Sequence, residues 1–139
     1  MEAFKLTFML IMAVSLSACN AQSSQEQNPV LTDAGELQVY YFHFTRRCAT
    51  CNAVETETKV ALETFYADRV KDGTIAFTSL NLEEEDGKEM AEQLKVSGQT
   101  LLLVRGDQMV NLTNEGFMNA RTNPGRFREI LKSNIDKML

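Results

Sequence analysis

The stretch Leu37-Gln38-Val39-Tyr40-Tyr41-Phe42-His43-Phe44, followed after Thr45-Arg46-Arg47 by Cys48-Ala49-Thr50-Cys51, decides how the rest of the chain is read. Its first part is β-branched and aromatic with almost no polar alternation, the pattern of a central strand covered on both faces. From Thr50 the period changes. Val54, Thr58, Ala61, Leu62 and Phe65 fall on one helical face, while Glu55, Glu57, Lys59, Glu63 and Asp68 lie mostly off it. Asp72-Gly73 supplies the stop. Two cysteines separated by two residues, placed where a strand hands over to a helix, lie on one side of the first turn and within disulfide reach.

Downstream, Thr74 to Leu82 reads as a second strand and Asp86 to Lys95 as a short helix carrying Met90, Ala91 and Leu94. Thr100 to Val104 reads as a third, buried strand. Arg105-Gly106-Asp107 then turns the chain into Gln108 to Leu112 as a hairpin partner. The tripeptide also matches an adhesion motif, but a turn between two apolar runs accounts for it. Asn123 caps a last helix with Pro124 at its first position, and Phe127, Ile130, Leu131, Ile135 and Met138 form its apolar stripe. The order strand, helix, strand, helix, strand, strand, helix predicts an α/β domain. Its sheet is mixed and four-stranded, parallel across the strand–helix–strand unit and antiparallel in the hairpin, with helices on both faces.

Upstream, Met1 to Lys5 precedes the apolar run Leu6 to Leu16, which is too short for the roughly 30 Å hydrocarbon layer and reads as a signal peptide over residues 1–18. Leu16-Ser17-Ala18-Cys19 resembles the bacterial lipobox, which implies that the Cys19 thiol is acylated and becomes a lipid anchor. The plainer readings are a buried cysteine after an ordinary signal, or a third disulfide partner. Residues 19–36 are rich in Gln, Ser and Asn with no apolar period and read as a flexible tether. Residues 37–139 form the one domain.

Composition limits what that domain does. A formal charge of −5, with 14 basic against 19 acidic residues and no dense basic run, excludes a nucleic-acid binder. Three cysteines and one histidine exclude a four-ligand structural zinc site unless all four converge. At a helix start, unpaired N–H groups and the helix dipole favour thiolate over thiol, and the cations of Arg46 and Arg47 add to that. Cys48 is therefore expected to be the attacking nucleophile, with Cys51, one turn deeper, as the resolving thiol. A permanent bridge is the alternative, although so short a loop gains little from one. A thiolate site for a soft metal or metalloid is another. His43 could add a third ligand, but a packed histidine with one hydrogen-bond partner is the more economical reading. The run Glu83 to Asp86 reads as a solvated helix start, and the scattered methionines as core filling.

From Leu37 to Leu139 the sequence resembles the thioredoxin family. The resemblance rests on an aromatic strand ending in CxxC, a long helix, a strand with Ser79-Leu80-Asn81-Leu82, and Ser97-Gly98-Gln99-Thr100 ahead of Leu101-Leu102-Leu103. It implies a thioredoxin-like fold, with Cys48 as nucleophile and Cys51 as resolving cysteine, and it puts Gln99 and Thr100 where the family has its cis-proline and threonine. Arg47 stands where the family has tryptophan, Phe42 where it has a buried acid, and Ser79 where it has lysine. A cis bond before a non-proline residue costs about 3–4 kcal/mol, so Gly98–Gln99 is expected to be trans.

The expected protein is a lipid-anchored thiol–disulfide oxidoreductase of the bacterial cell envelope. It faces the periplasm as a monomer and has a redox-active disulfide. It needs no cofactor and no metal, because the electrons reside on sulfur. Its partners are thiol- or disulfide-containing clients, a membrane redox partner, and the membrane itself through Cys19; nucleic acid is not among them. The rival is a non-catalytic protein that captures a soft metal or metalloid on the same dithiol.

Overall fold

The computed structural model describes residues 36–139. The signal peptide, Cys19 and the tether up to residue 35 lie outside the described residues. In chain order the elements are β1 (Leu37–His43), α1 (Ala49–Lys71), β2 (Ile75–Asn81), α2 (Glu85–Gln93), β3 (Thr100–Arg105), β4 (Gln108–Asn111), α3 (Thr113–Asn119) and α4 (Pro124–Met138).

The strands form one four-stranded sheet in the order β2-β1-β3-β4. β1 pairs parallel with β2, as the crossover through α1 requires, and antiparallel with β3; the hairpin β3–β4 is antiparallel. This is the mixed four-stranded α/β sheet that the sequence predicts, with one further helix, α3, between the hairpin and the last helix. β1 is central, and every one of its residues is buried. Because strand side chains alternate, Leu37, Val39 and Tyr41 join the core beneath α1, α3 and α4, whereas Tyr40 and Phe42 join a second core with Ala91 of α2. A strand with apolar residues on both faces therefore requires helices on both faces.

α1 ends as its sequence dictates, with Asp72 at the cap and Gly73 in the left-handed region at φ +85°. Its buried face differs from the expected one in two places. Glu55 is buried, and Tyr66 is buried along with the upper stripe at a kink where its own φ/ψ is −136°/26°. Tyr66 donates its hydroxyl to Asp136 Oδ1 at 2.6 Å, which braces α1 against α4. α2 ends in a Schellman motif, with Val96 N–H on Ala91 O at 2.7 Å and Lys95 N–H on Glu92 O at 3.2 Å. Lys95 occupies the left-handed position that glycine usually fills, at φ +55°, and so turns the chain toward Gly98 and Gln99.

α3 is absent from the element order that the sequence predicts. Seven residues containing a glycine and two asparagines have little helix propensity of their own. Tertiary contacts supply what propensity does not. Asn111 Oδ1 accepts from Thr113 N–H at 3.0 Å, and Thr113 Oγ1 in turn accepts from Leu101 N–H at 3.1 Å. Gly116 packs on Val54 so closely that a Cβ would stand 3.2 Å from Val54 Cγ1.

Gly87 sets the seat of α2 on the sheet. A Cβ there would collide with the backbone carbonyl of Asn81, at the end of β2. Elsewhere in a helix, Gly→Ala gains about 1 kcal/mol. Here Gly87→Ala is expected to lower stability by about 1–3 kcal/mol, as an overpacked contact does, seen as a lower urea midpoint with α-helical content kept.

Candidate active site

β1 delivers the chain at the middle of the sheet, and five residues after His43 it reaches Cys48, the N-cap of α1. Cys48 has extended geometry (φ −84°, ψ 164°), which leaves its side chain facing the first-turn amides. Its sulfur accepts a hydrogen bond from Cys51 N–H at 3.1 Å. Cys48 and Cys51 form a disulfide, with Cα atoms 5.1 Å apart. The two halves of the bridge meet different surroundings: Cys48 is exposed and Cys51 is 2% exposed. The first turn carries no acidic residue that would oppose negative charge on the outer sulfur.

The inner end of this turn is fixed from the sheet. Tyr41, fully buried on β1, donates its hydroxyl to Cys51 O at 2.9 Å. Burial pushes the Tyr41 phenol up to about 12, against the pull of the Arg47 guanidinium and with the help of the Glu55 carboxylate. It therefore remains a donor at any working pH. The loop before Cys48 is tied to the start of α2's approach: Thr45 N–H donates to Glu83 Oε2 at 2.7 Å, and Asn81 Nδ2 donates to Thr45 Oγ1 at 2.9 Å. Glu83, the first residue of the acidic run, is thus a clamp for the dithiol loop as well as a solvated charge.

The two arginines separate. Arg46, two residues before Cys48 in the chain, is exposed. Arg47 is ion-paired with Glu55 and donates to Ser79 Oγ at 3.3 Å. Its charge is answered by a carboxylate rather than left free for the sulfur. Lys59 completes the cluster, reaching Glu55 Oε1 at 2.7 Å from one turn further along α1 while its ammonium lies 5.3 Å from the centre of the Phe77 ring. Burial raises the Glu55 carboxyl, but hydrogen bonds from Lys59 and Arg47 outweigh it and hold the group below the usual carboxylate range. The sequence pattern places Glu55 on the outer face. Its only signal was the i, i+4 spacing to Lys59, which an ordinary surface pair shares.

Gln99 stands opposite the bridge, with Oε1 3.3 Å from Cys51 Sγ. No cis peptide occurs among the described residues, so Gly98–Gln99 is trans. Thr100, buried at the start of β3, donates its hydroxyl to Gly98 O at 2.9 Å and fixes the turn that presents Gln99. His43 is buried, and its Nδ1 donates to Phe44 O at 3.0 Å. Phe42 is fully buried 6.1 Å from the Tyr40 ring, so an apolar side chain fills the position where the family resemblance puts an acid. Phe44, 40% exposed, lines a shallow groove with Leu82, Lys88, Ala91 and Val96. Among the described residues, no group of three or more His, Cys, Asp or Glu side chains is arranged to hold a metal ion. The structure thus brings Gln99 to the Cys48–Cys51 bridge, keeps Thr100 on the turn behind it, and directs Arg47 to Glu55.

No family model matches the sequence, and no curated protein matches it. Among solved structures, the chain is similar to a malarial protein at 19% identity, with 53% of this chain and 74% of that one covered and a TM-score of 0.40. It is also similar to the germline-specific thioredoxin Deadhead of Drosophila melanogaster, at 19% identity, 55% and 65% coverage and a TM-score of 0.40. A third is a thioredoxin from Thermus thermophilus, at 16% identity, 70% and 75% coverage and a TM-score of 0.36.

Glu55→Gln removes a charge that both Arg47 and Lys59 face, and is expected to cost about 1–3 kcal/mol at neutral pH, as lost hydrogen bonds to charged groups do. The folded carboxyl titrates below its unfolded value, so the stabilisation is complete above the unfolded value and fades as pH falls through the folded one. Urea unfolding should separate wild type from variant at pH 7, and the gap should narrow as pH falls below the ordinary carboxylate range.

Proposed function

We propose that this protein is a cell-envelope thiol–disulfide exchanger, held to the membrane through an acylated Cys19. The observation that carries the chemistry is the asymmetry of the bridge. The outer sulfur is exposed and accepts a helix N-terminal amide, while the inner one is buried. In the reduced protein the same amide and the helix dipole favour the Cys48 thiolate, and burial favours the Cys51 thiol.

The exchange is balanced on sulfur alone. The Cys48 thiolate attacks one sulfur of a client disulfide, forming the Cys48–client bond as the client S–S bond breaks, and the departing client thiolate takes a proton from solvent. Cys51 then loses its proton to water. Its thiolate attacks Cys48 Sγ, forming the Cys48–Cys51 bond and expelling the second client thiolate, which is protonated in turn. Two electrons have passed from the dithiol to the client, and a dithiol reductant must return them for a second turn. The reverse sequence oxidises a client dithiol. The groove containing Phe44 offers an apolar seat for the client chain on the α2 side of the sheet, and exposed Arg46 a cation for it.

Supplied with a dithiol reductant, the protein should reduce a model protein disulfide over many turnovers. Cys48→Ser should fall to the uncatalysed rate, and Cys51→Ser should accumulate mixed disulfides at Cys48. Stoichiometric capture of a thiophilic metal or metalloid without turnover would replace this reading with a binding one.

The anchor is checked separately. In bacterial cells the full chain should incorporate labelled fatty acid and sediment with membranes, and Cys19→Ala should do neither. A soluble wild-type protein would remove the membrane from the proposal and leave the sulfur chemistry standing.

A further inference from the structure

The inner sulfur has a problem that the exposed one lacks. Cys51 is 2% exposed, yet it must pass through a thiolate to close the bridge. A thiolate taken out of water and given no donor is disfavoured, and its formation slows the closing step. The Cys51 amide is already committed to Cys48 Sγ, and the Tyr41 hydroxyl to Cys51 O. The polar side chain that reaches the inner sulfur is Gln99, at 3.3 Å.

We infer that Gln99 is a catalytic residue for the closing step of the proposed exchange, its carboxamide serving as hydrogen-bond partner to Cys51 sulfur in both protonation states. A carboxamide carries an acceptor and two donor hydrogens on one carbon, and a half-turn of its terminal torsion exchanges them. Oε1 receives the Cys51 S–H in the dithiol; Nε2–H donates to the Cys51 thiolate once the proton has left for water. Proline, with no side-chain donor, can do neither. The surrounding geometry supports this use. The trans Gly98–Gln99 bond and the Thr100 hydroxyl on Gly98 O set the turn that holds the carboxamide against Cys51 sulfur.

This inference rests on the exchange reading, and one experiment separates the two. The full chain, with Cys19→Ala to keep it soluble, is reduced and treated with a chromophoric aromatic disulfide. Two phases are followed: attack by Cys48, and release of the second aromatic thiolate by Cys51. Gln99→Met keeps length and volume but has no donor. It should leave the first phase unchanged and slow the second about three- to tenfold, the range expected when the attacking thiol becomes about one unit less acidic and gains partly compensating nucleophilicity. Gln99→Glu, of the same shape but presenting only acceptors when ionised, should slow release at least as much. The release rate against pH should shift to higher pH in both variants, a change that loosened packing alone would not produce. Equal release in wild type and both variants, with unfolding midpoints unchanged, overturns the role of Gln99 while exchange stands. A wild-type protein that never releases the second thiolate overturns the exchange reading and this inference with it.

Discussion

The site depends on one local fact: a helix begins with a sulfur as its cap. An α-helix start leaves amide donors without intrahelical partners, and in this chain one of them is met by Cys48 Sγ rather than by the hydroxyl or carboxylate that usually serves. That single hydrogen bond orients the outer sulfur and puts the positive end of the dipole beneath it. It also leaves the inner cysteine one turn down, where the sheet closes over it. The other described features of the site keep this turn in place. β1 brings the chain to it through the core, the Tyr41 hydroxyl holds Cys51 O from below, and Thr45 is tied to Glu83 and Asn81 from the side.

The charge cluster around Glu55 follows from the same placement. Arg47 directly precedes the cap, so its long side chain must lie along α1 or reach into solvent. It lies along the helix, because Glu55 is positioned to receive it and Ser79 on β2 offers an oxygen. A carboxylate buried alone would be costly; with Arg47 and Lys59 on either side it stays ionised, and the pair stitches the dithiol loop to both α1 and β2. The cation nearest in sequence to Cys48 is thereby spent on structure, and the backbone amide with the helix dipole is left as the main source of stabilisation for a Cys48 anion.

Opposite the bridge stand a trans Gly98–Gln99 peptide and the Gln99 side chain. Thr100 closes a short turn on Gly98 O that brings residue 99 against Cys51. The positive φ of Lys95, stabilised by the Schellman bonds that end α2, aims the loop there.

The strands, the three longer helices and the dithiol at the start of α1 were legible in the residues, because each rests on local physics. An unbroken apolar run needs cover on both sides, a 3.6-residue stripe needs a core, and a CxxC at a strand-to-helix junction fixes its own geometry. The trans bond at Gln99 was legible for the same reason, since its cost is intrinsic to the peptide. α3 was not, since its seven residues become a helix only against Val54 and Leu101. Nor was Glu55, whose spacing to Lys59 describes an exposed pair equally well until β2 and Arg47 arrive from elsewhere in the chain. What only the folded chain decided are contacts between residues far apart in sequence. Gln99 lies 48 positions from Cys51 and Ser79 lies 32 from Arg47. No local pattern encodes such a distance, because it is set by how the sheet and helices close on one another.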